Sequence, residues 1–260
     1  MELEFDLEIE SVKLRVFRQG NYSGRPTLVF LHDSLGCIKL WRDFPVKLGE
    51  AAKCNVLIYD RQGYGKSEPF TSIRRKNDYM EIESGILNSL LEQCEITNAI
   101  LFGHSDGGTI ALLAASKYPE KISGIITEGA HIFVEEITVA GIRQAIENYK
   151  TTNLKDRLRK YHGEKTEAVF WAWAGTWLTE EYRNWNIEHF LPKIQCPVLI
   201  IQGENDEYGS LKQVDRIIKQ VSGYSTKLII PNIGHTPHKE ASELTLIKSA
   251  EFVSKLLVIM

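Results

Sequence analysis

The stretch Asn98-Ala99-Ile100-Leu101-Phe102-Gly103-His104-Ser105-Asp106-Gly107-Gly108-Thr109-Ile110-Ala111-Leu112-Leu113-Ala114-Ala115 joins an apolar run, a Gly-x-Ser-x-Gly turn and an Ala- and Leu-rich run without a break. Ala99 to Phe102 has the continuous apolar character of a strand covered on both faces, and the run after Gly108 that of a buried helix. Ser105 therefore stands at a strand-to-helix junction. A serine in so tight a turn takes a strained backbone conformation, and its neighbours must be small enough for strand and helix to approach; Gly103 and Gly107 meet that need. The strain exposes the hydroxyl at the carboxyl edge of a sheet, beside the N–H groups of a helix N-terminus. That makes Ser105 a candidate nucleophile, where the plain alternative is a helix N-cap.

Outward from this turn the chain alternates strand and helix. Thr27 to Leu31, Asn55 to Tyr59, Ser123 to Thr127, Val198 to Gln202 and Lys227 to Ile230 are further short runs rich in Val, Ile and Leu, as a parallel sheet covered on both faces requires. Helical patterns fall between them at Leu40 to Lys53, Asp78 to Cys94, Gly108 to Lys117, Leu211 to Val221 and Ala241 to Leu257. Leu3 to Ile9 and Val12 to Phe17 alternate apolar and polar residues and predict an antiparallel opening hairpin. The fold class is α/β, a mostly parallel twisted sheet with helices on both faces and right-handed crossovers. Residues 131–190 break the alternation. They hold only helical patterns, at Val139 to Lys150, Leu154 to Tyr161 and Thr166 to Leu178, and read as a helical lid inserted between two core segments, 1–130 and 191–260. Four of the five tryptophans lie in it: Trp171, Trp173, Trp177 and Trp185. Most would glue small helices to the core, but a lid over a catalytic edge must present apolar surface inward, and Trp171, Trp173 and Trp177 are candidates for lining a substrate pocket.

Composition bounds the function. The chain has 260 residues, 43% apolar and 25% charged, with net charge -3 and pI near 6.2. It fits one globular domain carrying an insertion and has no electrostatic footprint for nucleic acid. The acidic start Met1-Glu2-Leu3-Glu4-Phe5-Asp6 is unlike a signal peptide, and no apolar run reaches membrane-spanning length, so the expectation is a soluble cytoplasmic protein without a membrane partner. Leu256-Leu257-Val258-Ile259-Met260 reads as the end of a packed helix. The cysteines Cys37, Cys54, Cys94 and Cys196 are widely spaced and suggest neither disulfides nor zinc; no metal is expected. No heptad seam decides the oligomeric state, which leaves a homodimer open.

Four blocks spanning almost the whole chain resemble the α/β-hydrolase fold superfamily. Leu28-Val29-Phe30-Leu31-His32-Asp33-Ser34-Leu35-Gly36 is similar to its strand ending in an oxyanion loop. Tyr59-Asp60-Arg61-Gln62-Gly63-Tyr64-Gly65-Lys66-Ser67 resembles its Asp-x-x-Gly-x-Gly-x-Ser turn, and the elbow at Ser105 is the third block. Pro197 to Asp206 and Gly234-His235 resemble its acid and histidine blocks. Chemistry asks for the same partners. A serine hydroxyl needs a base that titrates near neutrality, and that histidine needs a carboxylate to fix its tautomer. Asp206 follows a predicted strand, with Glu204 and Glu207 as solvated neighbours, and His235 follows the next one; Ser, Asp, His is the order of this fold. The other histidines read as structural: His238 as a surface or supporting residue, His104 as a packed elbow residue, His32 as a loop brace, and His131, His162 and His189 as polar groups of the lid.

By the same resemblance the oxyanion donors are the backbone N–H groups of Asp106 and Ser34. Asp33 departs from the pattern by standing where glycine is usual, with Gly36 as a compensating source of freedom. Asp106 itself either caps the helix electrostatically or binds a cationic group of the substrate, because its elbow looks like that of amino-acid ester hydrolases of the valacyclovirase type. The expectation is a serine hydrolase without cofactor, acting on small to medium carboxylic esters. A carbon–carbon bond hydrolase or lyase on the same triad, or a small-ligand receptor of the same fold, are the alternatives.

Overall fold

The computed structural model describes residues 2–259, so Met1 and Met260, the outermost residues of the two terminal stretches and core segments read above, lie outside the described residues. β1 (Glu2–Ile9) and β2 (Val12–Gln19) form the opening hairpin, and β2 pairs antiparallel with β4 (Asn55–Tyr59). From there the sheet is parallel: β3 (Thr27–Leu31), β5 (Ala99–His104), β6 (Ile122–Glu128), β7 (Val198–Gly203) and β8 (Ser225–Ile230). The spatial order is β1-β2-β4-β3-β5-β6-β7-β8, so the chain crosses over between β3 and β4 and reverses direction of growth beside β5. At such a reversal the loops leaving the carboxyl ends of neighbouring strands part, opening a crevice for ligand.

Strand side chains alternate between two cores. Leu28, Phe30, Ile100 and Phe102 pack against α1 (Phe44–Ala52) and α9 (Ser242–Ile259). Val29, Leu31, Ala99 and Leu101 face the opposite way, toward α2 (Tyr79–Gln93), α3 (Asp106–Lys117) and α7 (Leu211–Gln220). Because both faces are covered, these strands are apolar at every position, which is why they read as runs in the sequence.

Several helix boundaries differ from the sequence reading, two of them with a visible cause. The pattern at Leu40 to Lys53 splits into a 3₁₀ turn at Ile38–Trp41 and α1, since Arg42 takes φ 55° and Pro45 lies in the first turn of the new helix. α3 begins at Asp106 rather than Gly108, so the residue after Ser105 is already helical. Between β6 and β7 come α4 (Glu136–Thr151), α5 (Leu154–His162) and α6 (Thr166–Trp177), with only the isolated bridge Phe133–Asn186 among the described residues of that segment. They are tied down by polar contacts. His162 Nε2 donates to the Leu35 carbonyl (2.9 Å), its Nδ1 accepts from the Gly65 amide (3.1 Å), and Thr138 Oγ1 donates to the Tyr208 carbonyl (2.6 Å). Among the described residues no helix is long and apolar enough to cross a membrane.

Candidate active site

Ser105 holds φ 54° and ψ -119°, a conformation that L-residues adopt only under constraint. The constraint is visible around it. The Ser105 amide donates to the Glu128 carbonyl on β6 (2.8 Å), and its carbonyl accepts from the Gly108 and Thr109 amides at the start of α3 (2.9 and 3.1 Å). A Cβ on Gly107 would lie 2.0 Å from the Leu31 carbonyl oxygen, and one on Gly103 2.2 Å from the Gly107 oxygen. The elbow therefore requires glycine at both positions, as the sequence implies.

The loops after β7 and β8 bring the other two residues together. Asp206 is buried, and the Nδ1 of His235 lies 2.9 and 2.8 Å from its two carboxylate oxygens. Nδ1–H donates to the carboxylate, which leaves Nε2 as the acceptor for a serine proton. Asp206 also accepts from Gln202 Nε2 (2.7 Å) and from the Tyr208 and Gly209 amides (2.8 and 3.2 Å). Burial works against its charge, but the His235 imidazole and these donors outweigh it and hold the carboxyl at about 2. Burial likewise opposes a charged His235, yet Asp206 dominates and raises the imidazole above its ordinary value of 6.5.

Ser105 and His235 line one cavity, together with Asp33, Ser34, Leu35, His131, Thr138, Ile142, Trp173, Trp177 and Tyr208. Among the described residues Ser105 and His235 form no direct hydrogen bond; such contacts commonly tighten only in a substrate complex. Ser34 is buried and lines the same cavity as Ser105. Its amide and that of Asp106 are both without a protein acceptor among the described residues.

Several side chains behave differently from the sequence reading. The Asp106 carboxylate does not reach the cavity. It is buried, its Oδ2 accepts from Tyr79 (2.9 Å), and it lies 3.8 and 3.9 Å from the guanidinium nitrogens of Arg61 and Arg75. Two arginine side chains flank it at ion-pair distance and its Oδ1 has no hydrogen-bond partner among the described residues; it does not line the cavity, which leaves it out of reach of a substrate cation there. Trp171 points outward, 38% exposed, with its Nε1 on Glu167, and is no pocket residue; Trp173 and Trp177 are. Gly36 keeps an ordinary backbone and is needed for space instead, since a Cβ there would sit 2.0 Å from Asp33 Oδ1. His131, His162 and His238 are buried rather than surface groups. His238 Nδ1 lies 2.6 Å from Glu128 Oε2, and burial pushes both toward neutrality, the carboxyl up to about 7 and the imidazole down to about 3.

The supporting residues were the part missed in the sequence. Arg61 donates to the His32 and Asp33 carbonyls (3.2 and 2.8 Å) and gives its amide to His32 Nε2 (3.1 Å), so it braces the loop carrying Ser34 while also neutralising Asp106. His104 Nε2 donates to the His235 carbonyl (2.8 Å), Glu207 accepts from the His235 amide (3.2 Å), and Glu240 accepts from the Gly234 and Thr236 amides (2.9 Å each). Gly129, at φ 56°, leaves the space into which His235 fits. The Asp-Arg-Gln-Gly turn points toward Arg61 and the elbow toward His104, whereas Glu207 is more than a solvated neighbour and Glu240 and Gly129 carry no signal in the sequence. Among the described residues no group of three or more His, Cys, Asp or Glu side chains could hold a metal ion.

Residues 26–145 match the alpha/beta hydrolase fold family. Serine hydrolase BPHL of Homo sapiens is 30% identical over 188 residues, 70% of this chain and 64% of that protein, so the chain spans just under two thirds of it. The Mus musculus protein of the same name is 29% identical over 246 residues, 88% of this chain and 79% of its own. An Escherichia coli 2-hydroxy-6-oxononadienedioate/2-hydroxy-6-oxononatrienedioate hydrolase is 24% identical over 252 residues, 85% of each chain. In three dimensions, a structure from work on carboxylesterases of the Thaumarchaeon Nitrososphaera gargenis superposes with a TM-score of 0.80 at 18% identity, over 98% of this chain and 100% of that one. Sequence and backbone thus lead to one assignment, and the chain has the α/β hydrolase fold.

Proposed function

We propose that the protein is a serine hydrolase that cleaves small to medium carboxylic esters, with Ser105 as nucleophile, His235 as general base and acid, and Asp206 as the group that orients His235. The observation that carries this reading is the Asp206–His235 pair, at 2.8 Å, opening onto the same cavity as the strained Ser105. The Ser105 oxygen attacks the acyl carbon while His235 Nε2 takes its proton. The amides of Ser34 and Asp106 stabilise the oxyanion, and His235 returns the proton to the departing alcohol. Water activated by the same imidazole then releases the acid and restores Ser105. α4 and α6 act as a lid whose Ile142, Trp173 and Trp177 receive the acyl chain. The two BPHL proteins, named serine hydrolases, support the reaction class. The E. coli relative's name supports a second reading, hydrolysis of a carbon–carbon bond with the same parts. We further place the protein in the cytoplasm, acting on a small molecule and not on nucleic acid.

The test is turnover of p-nitrophenyl esters of increasing acyl length by the protein and by Ser105→Ala, with a fluorophosphonate label in parallel. Labelling and turnover that both vanish in the variant are the expected result. Labelling at Ser105 without ester turnover moves the assignment to the carbon–carbon reading. Undiminished turnover by Ser105→Ala refutes both.

A further inference from the structure

Outside the inner cavity a wide groove lies between α5 and the loops after β3 and β8, and it shares Asp33, Leu35, Tyr208 and His235 with that cavity. Four cations line it. Arg42 follows the first 3₁₀ turn, Arg157 and Lys160 lie three residues apart on α5, and Lys239 belongs to the short helix α8 (Pro237–Glu240). All four are exposed, and none forms an ion pair among the described residues. Their neighbours on α5 behave otherwise: Lys155 pairs with Glu167 and Arg159 with Glu164. Residues three apart on a helix share a face. The other cations of α5 are thus paired with glutamates, whereas Arg157 and Lys160, with Asp156 beside them on the helix, form no ion pair among the described residues.

The acids of the groove are Asp33 and Glu207, which stand in the loops beside the reacting groups, and Glu207 already accepts from the His235 amide. Across the groove on α5 the charge is positive. The inner cavity holds none of these cations, and its Ile142, Trp173 and Trp177 supply apolar walls suited to an uncharged acyl chain.

We propose that the groove binds an anionic leaving group: the substrate places its acyl part in the inner cavity and extends an alcohol bearing a carboxylate or phosphate toward Arg157, Lys160, Arg42 and Lys239. The inference rests on the serine-hydrolase reading above. Clefts lined by one sign of charge raise the local concentration of a ligand of the opposite sign, and the effect weakens as salt screens it.

The experiment compares two butyryl esters of similar size, that of 4-hydroxybenzoate, which is anionic, and that of methyl 4-hydroxybenzoate, which is neutral. The anionic ester is expected to have the higher kcat/KM, by roughly tenfold at low salt, with the ratio falling toward one as about 0.5 M salt screens the groove. In the double variant Arg157→Gln/Lys160→Gln the low-salt ratio is expected to fall by roughly three- to tenfold, the sum of two partly exposed charge interactions. Competition by benzoate and by phenyl phosphate separates the two anion sources: the stronger competitive inhibitor identifies the group the groove takes, and inhibition by neither overturns the proposal. Turnover of the methyl ester with no anionic preference and no salt dependence also overturns it, and leaves the serine-hydrolase reading standing. Absence of turnover for both esters, together with absence of fluorophosphonate labelling, overturns that reading and this proposal with it.

Discussion

Gly129→Ala isolates what the backbone contributes to catalysis. A Cβ at this position would lie 2.7 Å from His235 Cε1, 2.8 Å from Nδ1 and 3.2 Å from Asp206 Oδ2, at φ 56°. The left-handed backbone alone costs about 1 to 2 kcal/mol for an L-residue. For a chain of this size that lowers Tm by about 2 to 8 °C. The larger consequence is positional. To regain an ordinary 3.4 Å contact the imidazole must retreat by about 0.7 Å, in the direction that breaks its register with Asp206 and Ser105. Misplacements of about 1 Å at a reacting group lower rates on the order of 100-fold, or about 2.7 kcal/mol in the barrier. The expected outcome is a fall in kcat of that order on p-nitrophenyl butyrate, with a parallel fall in the rate of fluorophosphonate labelling and a modest loss of Tm. Gly175→Ala on α6, where an added Cβ meets nothing within 4 Å, serves as the control and is expected to leave kcat unchanged while stabilising by about 0.5 to 1 kcal/mol. If Gly129→Ala keeps kcat within threefold of the parent, the close fit of His235 against this backbone is not what positions the base, and the reasoning fails.

Asp206→Asn removes both the tautomer lock and the charge that raises His235, so kcat is expected to drop about 10⁴-fold. Because the imidazole must be neutral to act as base, kcat/KM of the parent rises with pH through a midpoint above 6.5, and the residual activity of the variant should rise at lower pH. The Asp206 carboxyl, held at about 2 instead of 3.8, contributes stability that is complete above its ordinary value and lost as pH falls through about 2; acid unfolding of the variant should lack that component. Asp106→Ala removes one of two carboxylates, the other being Glu83, that offset the charge of Arg61 and Arg75 and should destabilise by at most about 3 to 5 kcal/mol in chemical denaturation. Its activity loss should be equal for neutral and cationic esters, and a selective loss on cationic esters would contradict the buried placement of this group. Trp173→Leu should shift the preferred acyl length upward by opening the cavity, whereas Trp171→Ala should leave the chain-length profile as it was.

The strands and the elbow were legible because their causes are local. A strand buried on both faces must be apolar at every position, and a serine wedged between β5 and α3 must be flanked by glycines, so Leu28 to Leu31 and Gly103 to Gly107 announce themselves. Helix boundaries at Arg42 and Asp106 were less legible, because they depend on a single positive φ and on where the elbow releases the chain.

The sequence by itself determined the element order, the α/β architecture and the order in which Ser105, Asp206 and His235 occur. The tertiary structure decided which groups face the cavity. Asp106 sits next to Ser105 in the chain yet turns its carboxylate toward Arg61 and Arg75, which come from segments more than 30 residues away. His131, His162 and His238 are buried by elements remote in sequence, and Arg157, Lys160, Arg42 and Lys239 form one charged surface only once α5 lies across the loops of the core. Local sequence sets backbone periodicity and turn geometry, but the partner of a charged side chain is chosen by distance in space, which emerges only when the segments pack.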